Sequence, residues 1–117
     1  MGTISYQHNN HGIYIYIGLY RTRDELDAAA LNATVELYKA LYTLYPEKFR
    51  DTLFGIVVYG TTVNSKGKET DSIEAMFSWY DKRTVEALDI NNLTVNNFAD
   101  TVYRFYDPYK KISFQRD

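Results

Sequence analysis

The stretch GIYIYIGLY at residues 12–20 alternates isoleucine with tyrosine, and its reading decides the fold. A period of two is the signature of a β-strand. It puts Ile13, Ile15, Ile17 and Leu19 on one face and Tyr14, Tyr16 and Tyr20 on the other. The aliphatic face calls for a covering layer. The next segment offers one: Thr22-Arg23-Asp24-Glu25 has the form of a capping box, and Leu26, Ala30, Ala33, Leu37, Ala40 and Leu44 follow at helical spacing. Small residues at 28–30 and 33 suit close packing of this helix on a sheet, and Pro46 stops it. Tyr38, Tyr42 and Tyr45 form a second row, expected to edge the core with wet hydroxyls.

Working outward, residues 3–7 (TISYQ) read as a short strand joined to the opening stretch by the turn-type cluster 8–12. Residues 53–63 and 72–80 read as a hairpin with a charged tip. In its second arm Ile73, Ala75, Phe77 and Trp79 share the face expected to be inward. Glu74, Met76, Ser78 and Tyr80 share the face expected to be outward. A short helix is expected around 84–88, a turn at Asn91-Asn92, and a last helix over 94–106 with Val95, Phe98, Ala99, Val102, Phe105 and Tyr106 inward. Residues 109–115 read as a closing strand.

The expected fold is therefore α+β: one domain over residues 1–117, with two helices on one face of an antiparallel sheet in the ferredoxin-like order β-α-β-β-α-β. The alternative is ββα-ββα, using the N-terminal hairpin. Either way Tyr14, Tyr16, Met76 and Tyr80 are expected together on the helix-free side.

Composition narrows the function. Cysteine is absent, which removes disulfides and thiolate metal sites. A net charge of −2 is not that of a strong DNA binder. The N-terminus lacks an apolar leader and no run is long enough to span a bilayer, so a soluble, cytoplasmic chain is expected. His8 and His11 are the only histidines and fall in one polar turn, too few ligands for a zinc site. Glu69, Asp71, Glu74 and Asp81 line a charged hairpin, the opposite of the dry pocket that acid–base catalysis needs. The expectation is a non-enzyme with no cofactor or metal, a small enzyme being the least favoured reading.

Ile15-Tyr16-Ile17-Gly18-Leu19 resembles the first-strand motif of RNA-recognition (RRM) domains over five residues. That resemblance implies Tyr16 as a base-stacking residue on an open sheet. Tyr103 to Lys111 (YRFYDPYKK) interleaves aromatics with charge, which adds Arg104, Tyr109, Lys110 and Lys111 as possible nucleic-acid contacts.

Tyrosine, at 12 of 117 residues, is also a residue of protein interfaces. The favoured expectation is a protein-binding module using Tyr14, Tyr16, Tyr20, Met76 and Tyr80, either for a homodimer or for another protein. The abundance of Tyr and Asn suits an AT-rich coding source. A phage- or plasmid-encoded inhibitor of a host protein, such as a defence nuclease, is the form this expectation takes. Single-stranded nucleic-acid binding by the same face is the alternative.

Overall fold

The isoleucine–tyrosine alternation does form a strand, with a neighbour on each side. The computed structural model describes residues 2–9, 12–51, 53–64 and 66–116. Strands β1 (Gly2–Asn9) and β2 (Gly12–Arg21) pair antiparallel. Helices α1 (Arg23–Leu44) and α2 (Pro46–Asp51) then lead to β3 (Phe54–Val63), which pairs parallel with β2. Antiparallel β4 (Glu69–Tyr80) follows, then α3 (Lys82–Glu86), a 3-10 turn (Ile90–Asn92) and α4 (Phe98–Thr101). The hairpin β5 (Arg104–Asp107) and β6 (Ile112–Gln115) completes a six-stranded mixed sheet in the order β1-β2-β3-β4-β5-β6.

The α+β class stands, but the ferredoxin-like order is not the one adopted. In that order the first and third major strands are central. Here β3 and β4 occupy the middle and each hairpin adds beside the last. The chain runs ββα-ββα as in the alternative reading, with a third hairpin appended. The expected helix over 94–106 is also corrected. Only one turn forms, Val95 is exposed, and Arg104–Asp107 is a strand whose Phe105 and Asp107 are buried on alternate positions.

Helix α1 lies across β2, β3 and β4. Its buried row is Leu26, Ala30, Thr34 and Tyr38, an i, i+4 ladder with Val35 beside it. The expected stripe drifts off this line, leaving Ala40 exposed and Leu44 68% exposed. The expected capping box at Thr22 does not close, since the Thr22 side chain makes no cap bond. A reciprocal box forms instead at Asp81 and Thr84, opening α3. Pro46 ends α1 as expected and starts α2.

The β3–β4 tip is held by Asn64, whose Oδ1 accepts from the amides of Lys66 and Lys68 at 2.9 and 3.0 Å. Gly67 takes φ 77°, which a side chain resists. Gly67→Ala is expected to lower stability by about 1 kcal/mol, read as a shift in urea midpoint at unchanged slope.

Candidate docking surface

One event in β4 sets the whole surface. Val58 pairs with Met76 but Tyr59 pairs with Glu74, so Ala75 is an extra residue in β4. Such a bulge reverses which alternate residues face the core. Ile73 packs against the core on one side of it, as the plain alternation predicts. Beyond it Met76, Ser78 and Tyr80 are fully buried under the helices, while Phe77 and Trp79 turn to the opposite face.

This corrects the expected placement of Met76 and Tyr80. Met76 Sδ accepts from Thr34 Oγ1 of α1 at 3.9 Å. Tyr80 sits edge-on to Tyr38 with ring centroids 4.8 Å apart, and its hydroxyl meets Thr101 Oγ1 at 2.7 Å. Because Thr101 Oγ1 donates to the Phe98 carbonyl, the Tyr80 hydroxyl is the donor in that contact. Burial pushes the Tyr80 phenol further up, so it stays protonated. The expected wet hydroxyl of Tyr38 is likewise dry. It donates to the Ser78 carbonyl at 3.0 Å and accepts from Ser78 Oγ at 3.0 Å. Among the other two of that row, Tyr42 is half-buried against Phe49 and Tyr45 is exposed.

The face opposite the helices carries a different aromatic set. Phe77 and Trp79 pack at 4.8 Å, and Trp79 meets Tyr103 at 6.4 Å. The β4–β5 register puts Tyr106 opposite Phe77 and Arg104 opposite Trp79. The Arg104 guanidinium lies 6.0 Å from the Tyr106 ring centroid, and its Nη1 donates to the carbonyls of Phe105 and Phe114 and to Ser113 Oγ. None of Phe77, Trp79, Tyr103 and Tyr106 belongs to the core cluster under the helices. All four are half-buried. The Trp79 indole nitrogen is itself buried without a hydrogen-bond partner.

Tyr14, Tyr16 and Tyr20 sit in register with Gly55, Val57 and Thr61. In the β3–β4 ladder Gly55 and Val57 stand opposite Trp79 and Phe77. The backbone therefore ranks positions 14 and 16 along the same rows as the aromatic pair. Their side chains lie outside the described part, as do those of His8 and His11.

The basic run 103–111 divides. Arg104 belongs to the helix-free face. Tyr109, Lys110 and Lys111 occupy the β5–β6 turn, where Lys110 Nζ reaches back to Asp27 of α1 at 3.6 Å. Arg104 thus stands at the opposite end of the β5–β6 hairpin from Tyr109, Lys110 and Lys111.

Among the described residues no three His, Asp or Glu side chains gather as a metal site, and no helix is long and apolar enough to cross a membrane. The aromatic face is bordered by α3, where Lys82, Arg83 and Glu86 are exposed around Tyr103. No family model, curated protein or solved structure matches the chain.

Proposed function

We propose that this chain is a non-enzymatic protein-binding module whose docking surface is the helix-free face of its sheet. The observation that carries the reading is the row Phe77, Trp79, Tyr103 and Tyr106, which stands apart from the core. Large rings on a rigid sheet supply contact area at little entropic cost, and Trp, Tyr and Arg are the residues that dominate interface energetics. The bulge at Ala75 supports the reading as well. It turns Phe77 and Trp79 outward while the smaller Ser78 faces the core. Tyr14 and Tyr16 extend the same rows across β2, and a second copy is the simplest occupant, since a twofold contact would cover both faces at once. An inhibitor from a mobile element is a narrower form of this proposal, in which the occupant is a host protein.

Light scattering over a dilution series tests the first form. The expected mass is twice the 13.7 kDa of one chain, falling to one chain in a Phe77→Ser/Trp79→Ser variant that keeps its circular dichroism. A monomer throughout moves the proposal to another protein, and capture from host extract must then depend on Trp79. If neither self-association nor capture changes in the variant, the reading is wrong. Salt-sensitive quenching of Trp79 by oligothymidylate would instead favour the nucleic-acid alternative.

A further inference from the structure

The face under the helices holds a feature that docking does not use. Asp27 on α1 and Asp107 at the end of β5 are both buried, at 4% and 1% exposure. Two carboxylates are rarely placed so without full pairing. The charged groups acting on Asp107 are Asp27, from the helix, and Lys110, from the turn. Ile112, its partner across the β5–β6 ladder, is apolar.

The available donors do not satisfy two anions. Lys110 Nζ stands 3.6 Å from Asp27 Oδ2, on a side chain that is itself half exposed. The Lys110 amide donates to Asp107 Oδ1 at 3.3 Å. Asp27 Oδ1 is buried and has no hydrogen-bond partner among the described residues. Lys110 nevertheless touches both groups, its ammonium on Asp27 and its amide on Asp107, and so brings the two buried carboxyls into one contact. A contact of that kind attracts only when one member carries a proton, and that proton would also give the orphaned oxygen its donor.

We propose that Asp27 and Asp107 share a single proton and form a pH-sensitive latch that fastens the β5–β6 turn to α1. Burial, followed by the neighbouring Asp27 carboxyl, pushes Asp107 up to about 6, with Lys110 holding it back from rising further. The pair therefore changes state just below neutrality. With the proton present the two carboxyls are joined. Once it leaves, two anions face each other across a dry contact with one cation between them, and the turn loosens.

The direction of the effect follows from proton counting. Between the ordinary aspartate range and pH 6 the folded chain holds a proton that the unfolded chain has released. Stability from the latch is full below about pH 4, falls as pH rises through 6, and is flat above it. A displacement of about two pH units corresponds to a change of about 100-fold in the unfolding equilibrium. Asp107 directly follows Tyr106, so the same strand end joins the latch to the aromatic face. That link rests on the docking proposal, whereas the latch does not.

Carboxyl carbon NMR on the full chain tests the latch without any partner. The pair is expected to titrate with an apparent step near pH 6, and Lys110→Met is expected to move the step upward. Asp107→Asn supplies a permanent donor to Asp27. It is expected to abolish the step and to flatten the fall in thermal midpoint between pH 4 and 6. Protection of the Lys110 amide from exchange should drop above pH 6 in the parent and hold in Asp107→Asn. Ordinary titration of Asp107 near pH 4 would overturn the proposal. So would an exchange profile that ignores the step, or a step unmoved by Lys110→Met.

Discussion

Tyr38→Ala is expected to cost about 3–5 kcal/mol, a large part of what holds a domain of this size together. The ring is fully buried between the helices and the sheet. It meets Phe49 and Tyr80 edge-on at 5.8 and 4.8 Å and stacks on Phe98 at 5.8 Å. Those partners come from α2, β4 and α4, so one truncation opens a cavity shared by elements far apart in sequence. Tyr38→Phe separates packing from polarity. It keeps the rings in contact and removes the hydroxyl from Ser78, leaving Ser78 Oγ in a dry site without this partner. About 1–2 kcal/mol is expected for that change. Adding Ser78→Ala should then recover part of the loss, because the side-chain hydroxyl that lost its Tyr38 partner is gone as well. Chemical denaturation of the four proteins measures all three numbers. Equal losses for Phe and Ala at position 38 would mean that the rings contribute little, contrary to their geometry.

The same contact explains where reading the sequence failed. In SIEAMFSWY, Phe77 and Trp79 are the more apolar alternate set, so hydrophobicity alone sends them inward. The core instead takes Met76, Ser78 and Tyr80, because Tyr38 and Thr34 on α1 supply partners for Ser78 and Met76. Pairing of a polar residue with a helix forty positions away leaves no local mark. The extra residue at Ala75 leaves none either. Periodicity within a single strand was legible: Leu19 is buried, and β2 runs over the stretch expected of it. The boundary at Pro46 and the existence of the β3–β4 hairpin were legible for the same reason, since proline, asparagine and glycine act on their own backbone, although β4 starts at Glu69, three residues before the expected 72. Strand order was not, because it depends on which edges meet. Within the expected site, Met76 and Tyr80 went under the helices because of that extra residue. The buried carboxyl pair was hidden too, since nothing in the neighbourhood of Asp27 or Asp107 in the sequence marks either as buried.

Close approach of α1 to the sheet was expected from small residues on the helix, but the room is made on the strand. A Cβ added to Gly60 of β3 would fall at 2.6 Å from Leu26 Cδ1 and 2.9 Å from its Cγ, well inside contact distance. Leu26 is fully buried, so its methyls have no solvent to swing into. Gly60→Ala is therefore expected to destabilise by about 1–3 kcal/mol through overpacking. Leu26→Ala alone should cost about 2–5 kcal/mol by emptying the same space. The two substitutions are not independent. In the double variant the alanine on β3 enters the volume that Leu26 vacates, so the clash disappears and the cavity shrinks. The combined loss should fall short of the summed single losses by 1 kcal/mol or more, about the size of coupling seen between residues in contact. Additive losses would place the two residues out of contact and remove the reason for a glycine at this point in β3. The sheet would then owe its distance from α1 to Ala30 alone, and a larger side chain at 60 should be tolerated.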